Sequence, residues 1–262
     1  MRKITIQYSQ FKWIKYSRYH TGNFPSEWNE TSPKQLIAIA CLMKRSISDI
    51  QFLSIMTGLS KRIIKKLDDY QRFQLIELFD TFHSDKPYNE FIIEKIDCKN
   101  TMLFNPKPKL KNITFGQFIF MDTHFVNYQQ SSDITDLNKF IAAVYLPFNE
   151  RFTEEIIDNN YPLIAKIDLI TKEAIAINYH LIRDWLCETY PLVFQKQEKN
   201  NKDELSKNRE QKTIPKQNNN SWIKILDNIV GDDIINQDKY TNLSLHNTLR
   251  YLSEKIKANL KK

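Results

Sequence analysis

The chain has 262 residues, of which 41% are hydrophobic and 26% charged. These values are typical of a folded globular protein with enough apolar side chains for a core. A glycine-rich phosphate loop is excluded because the four glycines are far apart. The net charge is +7, but residues 196–220 alone carry seven cations and four acids. We therefore expect a solvated surface over most of the chain, with no dedicated basic face.

The N-terminal residues have the period of a β-strand. Ile4, Ile6 and Tyr8 alternate with polar residues, and the alternation predicts a β-hairpin or two short strands that end near Gly22. No apolar run has the length of a signal peptide or a membrane span. The sequence therefore predicts a small N-terminal β element and no membrane association.

Helical periodicity follows from residue 31 onward. Ser32, Pro33 and Gln35 have the spacing of a capping box with proline at the first helical position. Three further helices are predicted over residues 48–56, 60–67 and 69–82. The first eighty residues should therefore be mostly α-helical after the β element.

The middle of the chain changes period once more. Pro106 and Pro108 exclude a helix. Residues 91–96 and 101–104 are predicted to form either a small hairpin, with its turn at 97–100, or an extended crossover.

Three more helices are then predicted. The first begins at Thr114, which has capping-box spacing to Gln117. The second spans Asp133–Leu146 and is stopped by Pro147, and the third begins at Thr153. The longest helix should span 169–189. Because it is apolar on two stripes, we expect it at the centre of the core.

The end of the chain divides into a polar stretch and an amphipathic one. Residues 196–220 contain only two large apolar residues, which predicts a flexible linker. Beyond it, apolar residues at helical spacing predict two short helices that must dock on the main domain or on another protein, because they are too few for a core of their own. The predicted binding stripe consists of Trp222, Ile225, Leu226, Leu245, Leu249 and Leu252. Both docking alternatives are left open by the sequence.

No group of residues has the spacing of a catalytic or metal site. The five histidines never pair at helical spacing, and Cys41, Cys98 and Cys187 form no CxxC pair. His180 and Cys187 can share a helix face, but packing explains them better than catalysis because nothing nearby lowers the pKa of the thiol. We therefore expect a protein that is not an enzyme and that uses no cofactor or metal.

The segment from Ile50 to Leu67 resembles a helix-turn-helix. Gly58 suits the turn, Ser60 suits the start of the second helix, and basic residues follow it. In a DNA-binding protein these positions would meet phosphates: Ser60, Lys61, Arg62 and Lys65. The same geometry occurs in ordinary helical bundles, so DNA binding is the alternative hypothesis here.

A broader resemblance is carried by two longer stretches. Residues 113–119 read Ile-Thr-Phe-Gly-Gln-Phe-Ile, and residues 137–147 read Leu-Asn-Lys-Phe-Ile-Ala-Ala-Val-Tyr-Leu-Pro. Both stretches are similar to small tail-region proteins of bacteriophages that infect Bacteroidetes-type hosts. The stretch 52–59 matches an upstream piece of the same group. Asn138 and Leu146 stand where the group has histidine and arginine. The resemblance implies a tail-assembly chaperone, or a related tail morphogenesis protein, that binds the tape-measure protein.

Together these observations predict a mainly α, bundle-like domain over 1–195, with an N-terminal β element and a possible central hairpin. A flexible linker over 196–220 should tether amphipathic helices over 221–262. We expect a non-enzymatic phage assembly protein that binds a helical partner, such as the tape-measure protein or another tail component. Its expected location is the host cytoplasm, with association to the virion left open.

Overall fold

The structure of the protein is a computed structural model, which describes residues 1–11, 14–80, 88–99, 101–194, 221–231 and 233–260. The predicted linker over 196–220 lies outside the described residues. The fold is mainly α-helical with small sheets, which confirms the predicted fold class. None of the described helices is long and apolar enough to cross a lipid bilayer.

The chain begins with an antiparallel ribbon of two strands. Strands β1 (Arg2–Phe11) and β2 (Ile14–Phe24) pair from Arg2 opposite Phe24 to Phe11 opposite Ile14. One face of the ribbon buries Ile4, Ile6 and Phe24 against the helices that follow. The predicted N-terminal β element is thus present and is longer than two short strands.

Four helices come next, and local capping explains where three of them begin. They are α1 (Pro33–Met43), α2 (Asp49–Thr57), α3 (Lys61–Ile64) and α4 (Asp69–Asp80). The predicted capping box of Ser32 and Gln35 is formed at the start of α1, and Ser48 caps α2. At the start of α4, the carboxylate of Asp68 accepts a hydrogen bond from the backbone amide of Gln71. With the ribbon they enclose a small apolar core that includes Ile39, Phe52 and Leu53.

A three-stranded sheet lies in the middle of the chain. Its strands are β3 (Lys95–Asp97), β4 (Met102–Phe104) and β5 (Leu146–Pro147), in that order. The central hairpin is therefore confirmed, but its first strand begins at Lys95 and not at Phe91. The third strand was not predicted, because it joins from a part of the chain more than forty residues away.

The larger core is built from four helices. They are α5 (Phe115–Ser131), α6 (Ile134–Val144), α7 (Glu154–Ala165) and α8 (Leu169–Thr189). Thr114, Asp133, Thr153 and Asp168 each cap one of them through a side-chain oxygen. The bounds of α8 agree with the prediction, and its residues Ile175, Tyr179 and Ile182 are fully buried.

The C-terminal residues form a compact segment on the larger core. Its helices are α9 (Ser221–Val230), α10 (Gln237–Thr241) and α11 (Leu245–Asn259). Gly231 ends α9 in the left-handed conformation, with φ of 56°, as its position in the sequence predicts. Helix α10 was not predicted.

Candidate helix-binding pocket

The side chain of Trp222, in the C-terminal segment, fills a pocket lined by Phe115, Phe118, Asp122 and Phe194. A carboxylate with no exposure to solvent organises this pocket. Asp122 lies on α5 and is 0% exposed. Its Oδ1 accepts a hydrogen bond of 2.8 Å from Nε of Arg183 and one of 3.0 Å from the hydroxyl of Tyr179. A buried charge is tolerated only when it is paired and hydrogen-bonded. These contacts therefore fix α5 against α8.

Helix geometry explains why α8 supplies both donors. Tyr179 and Arg183 are four residues apart, so they lie on one face of the helix, one turn from each other. The charge of Asp122 raises the pKa of Arg183 far above its ordinary value. Burial raises the pKa of Tyr179, and the nearby carboxylate raises it further. Both groups therefore stay protonated and remain donors.

The second oxygen of the carboxylate holds the C-terminal segment. The indole Nε1 of Trp222, on α9, donates to Oδ2 of Asp122 at 2.9 Å. The indole ring packs edge-on against three phenylalanine rings, with centroid distances of 6.2, 4.9 and 5.5 Å to Phe115, Phe118 and Phe194. Trp222 is only 4% exposed. The pocket thus combines an aromatic wall with one polar acceptor for an N–H group.

Backbone contacts hold the rest of the segment close to α5. The amide of Phe115 donates to the carbonyl of Leu243, and the amide of Leu245 donates to the carbonyl of Ile113. A Cβ atom placed on Gly116 would lie 2.9 Å from Cβ of Thr241. Glycine is therefore required at 116 because α10 approaches the backbone of α5 too closely for a side chain.

The structure places the predicted stripe in the core of its own chain. Trp222, Leu226, Leu245, Leu249 and Leu252 are buried, and Ile225 is half-buried, in contact with the same core as α5 and α8. Of the two docking alternatives, the structure shows the one in which the C-terminal segment docks on its own domain. In this conformation the stripe is not an exposed surface for a partner, as was predicted, because its apolar side chains pack against the core of the same chain.

The helix-turn-helix-like segment has the predicted turn but a short second helix. Gly58 is left-handed, with φ of 71°, and the hydroxyl of Ser54 donates to the carbonyl of Leu59 across the turn. Ser60, Lys61, Arg62 and Lys65 are all exposed. Helix α3 has four residues, or a length of about 6 Å, where 60–67 was predicted. It is short for a helix that must lie along the major groove, and DNA binding by these residues stays a prediction.

Within the described residues, no three histidine, cysteine or acidic side chains lie close enough together to hold a metal ion. His180 and Cys187 are not brought together as a reactive pair: His180 is exposed and faces Asp184 at 3.7 Å. Burial is the largest influence on Cys187 and raises the pKa of its thiol. A raised thiol pKa lowers the fraction of reactive thiolate.

The organising residues of the pocket, Asp122 and Arg183, were missed by sequence reasoning. A signal was present, because Asp122 directly follows the apolar residues 118–121 and lies on the same helix face as Phe118 and Phe125. A single carboxylate on a buried helix face requires a cationic partner, but the sequence does not say which cation is near.

Comparisons with known proteins add no relative: no family model matches the chain, and neither a curated protein nor a solved structure matches it.

Proposed function

We propose that this protein is a non-enzymatic assembly protein that binds an amphipathic helix of another protein in the pocket between α5 and α8. The observation that supports this function is the seat of Trp222 on Asp122 within a wall of phenylalanine rings. Aromatic anchors in a desolvated pocket supply much of the energy of helix-in-groove recognition. The chain thus carries its own example of the ligand class that the pocket accepts.

Exchange between the C-terminal segment and a partner helix is physically reasonable. Asp122 keeps Arg183 and Tyr179 as donors when Trp222 leaves, so the buried carboxylate does not lose its charge partner. The segment is joined to α8 through the chain and competes at a high effective concentration, which lowers the apparent affinity for weak ligands. The pocket would therefore select helices that match its aromatic wall and its acceptor.

The proposed partner is the tape-measure protein or another tail component of a phage, and the proposed role is that of a tail-assembly chaperone. The resemblance of residues 113–119 and 137–147 to tail-region proteins supports this assignment. A tape-measure protein is a long helical polypeptide, and a chaperone for it needs a pocket for apolar helix faces. The protein would act in the host cytoplasm or on the assembling virion.

A labelled peptide of residues 221–232 tests the pocket. We expect it to bind the full-length variant Trp222→Ala at least about tenfold more tightly than the natural chain, because the variant's own segment no longer fills the site. Ile223→Ala is the matched control, since Ile223 is the next residue and is 53% exposed. Equal binding to the natural chain and to Trp222→Ala would contradict the proposed exchange.

Co-expression with the tape-measure protein of the same phage tests the partner. We expect a soluble complex of defined mass that the 221–232 peptide dissociates. If the peptide binds the pocket but the tape-measure protein forms no complex, the helix-binding function stands and the named partner is wrong.

A further inference from the structure

The positive charge of the chain is concentrated in its first 67 residues, which include the ribbon and α1–α3. These residues carry twelve lysines and arginines against three acids, a net charge of +9. Residues 68–262 carry a net charge of −2. The excess of cations therefore belongs to one region of the fold, in contrast to the expectation of a surface without a dedicated basic face. Charge asymmetry of this kind indicates a polyanionic partner such as a nucleic acid.

A groove lies within this basic region, between the start of α1, helix α2 and the turn that joins α2 to α3. Its volume is about 440 Å³. Lys34 of α1 and Lys61 of α3 both line it, and both are exposed. Other polar side chains of its walls are Gln51, Ser54 and Ser60. An open groove with cations on two different helices suits a negatively charged chain that passes through it.

The ribbon contacts the turn that borders the groove. A Cβ atom placed on Gly22 would lie 2.5 Å from the carbonyl oxygen of Thr57 and 2.9 Å from Cγ of Leu59. Glycine at 22 therefore lets β2 pack directly on the turn. Exposed cations lie on the elements that meet here, and they are Arg18 on β2 and Arg62, Lys65 and Lys66 beyond the groove. A polymer with phosphates at regular intervals can contact such cations in succession.

Aromatic side chains are also exposed in this part of the chain. Tyr70 and Phe73 are 69% and 56% exposed, and they lie one turn apart on the same face of α4. Tyr19, on the ribbon, is 63% exposed. Exposed rings beside cations can stack on the bases of a single strand, whereas a duplex keeps the faces of its bases covered. Because α3 is also short for the major groove, these features favour a single strand over a duplex.

We propose that the groove binds the phosphate backbone of a single-stranded nucleic acid. Lys34 and Lys61 contact successive phosphates, and the strand continues to the exposed rings of α4. Binding is independent of base sequence, because the cations contact the backbone and an aromatic ring accepts any base. This site differs from the helix-turn-helix alternative, in which α3 contacts a duplex.

Fluorescence anisotropy with the full-length protein tests the ligand class. The probes are a labelled DNA strand of about 20 nucleotides, the RNA strand of the same sequence, the DNA duplex and an abasic DNA strand. We expect the better of the two natural single strands to bind at least about tenfold more tightly than the duplex. The abasic strand has the same phosphates without bases, and it should bind at least about tenfold more weakly than the natural DNA strand. The DNA and RNA strands distinguish the two sources of this ligand.

Removing the two cations of the groove tests the site. Lys34→Gln with Lys61→Gln should weaken binding at least about tenfold. It should also reduce the slope of log affinity against log salt by about 1.4, because each phosphate contact of a single strand contributes about 0.7. The matched control is Lys107→Gln with Lys111→Gln, which removes the same charge from exposed positions beside the larger core. The control should change the affinity by less than about twofold.

Hydrogen exchange of the natural chain gives a readout that needs no variant. The single strand should slow the exchange of amides over residues 58–62 and leave residues 107–112 unchanged. Equal affinity for the duplex and the single strand, equal losses in the two lysine pairs, or no bound strand at low salt would overturn the proposal. If the groove variant does not fold, the exchange of the natural chain decides. The groove does not include the Trp222 pocket, so binding of the 221–232 peptide to Trp222→Ala should be the same with and without the strand.

Discussion

Two regions of this chain are predicted from sequence to meet other molecules, and the structure places them in opposite environments. The indole of Trp222 is buried beside a charged carboxylate, and the cations of the α2–α3 segment point into solvent. The apolar period of residues 222–230 shows correctly that a face is covered, but it does not say by what. The basic residues after Gly58 show correctly that a surface is exposed, but not that a ligand covers it. Periodicity therefore predicts burial better than it predicts a partner.

The largest expected effect comes from removing the carboxylate at the pocket. Asp122→Ala removes the fully buried acceptor of the hydrogen bonds from Arg183, Tyr179 and Trp222, and should lower the free energy of unfolding by about 3–5 kcal/mol. Urea denaturation measures this loss. Asp184→Ala is the control, because Asp184 lies on the same α8 as Arg183 but is exposed, and it should change stability by less than about 0.5 kcal/mol. Similar losses in both variants would contradict the view that the buried carboxylate of Asp122 stabilises this region more than an exposed carboxylate does.

A smaller effect is expected when only the indole N–H is lost. Trp222→Phe keeps an aromatic ring but removes the donor to a charged oxygen, which should cost about 2 kcal/mol. Hydrogen exchange of residues 223–230 should become faster in this variant. Ile223→Ala should leave the exchange unchanged, and a faster exchange there would mean that α9 is held by features other than the Trp222 contact.

An exposed carboxylate at the start of α8 provides a test by pH. Partial burial alone would raise the pKa of Asp168. Hydrogen bonds from the hydroxyl and the backbone amide of Thr171 lower this pKa by more than burial raises it, so the net shift is downward. A lowered pKa in the folded state stabilises the protein at neutral pH, and this contribution is lost as the pH falls below about 4. Asp168→Asn keeps a capping side chain but has no charge. Its stability should differ from the natural chain by at most about 1 kcal/mol at pH 7.

Denaturation of both proteins at pH 7 and pH 3 measures this difference. We expect the two stabilities to converge at the lower pH. A gap that persists at pH 3 would show that the charge of Asp168 is not what separates them.

The smallest effect on stability is expected at the basic segment. The triple variant Lys61→Gln, Arg62→Gln and Lys65→Gln should change the unfolding free energy by less than about 0.5 kcal/mol, because all three side chains are exposed. We expect the natural chain to retain no duplex DNA at low salt. Retention that falls steeply with salt and disappears in the triple variant would support the DNA-binding alternative.

Local features of the fold could be predicted from sequence because a few adjacent residues determine them. Ser32 caps α1, Gly58 ends α2 and α8 spans its predicted residues, each through contacts within a turn or two. Gln117 shows the limit of such reasoning. Its position predicts a capping box with Thr114. The backbone amide of Gln117 does donate to the side chain of Thr114, but the side-chain amide of Gln117 donates to the carbonyl of Ala143 and does not complete the box.

Contacts distant in sequence could not be predicted. Strand β5 pairs with β4 across more than forty residues, and Trp222 meets Asp122 across 100 residues. The spacing of apolar residues along the sequence does not indicate which carboxylate the indole of Trp222 will contact. The assembled pocket therefore could not be predicted from sequence, although α5 and α8 were both predicted as helices.

The same separation along the chain has a consequence for the time at which the pocket is filled. Ribosomes add residues from the N-terminus at about 5–20 residues per second, so the 33 residues from Thr189 to Trp222 take about 2–7 seconds to synthesise. During that interval α5 and α8 have been synthesised, but Trp222, which fills the pocket in the folded chain, has not. Under the proposed function, a partner helix would meet no intramolecular competitor for the pocket during that interval.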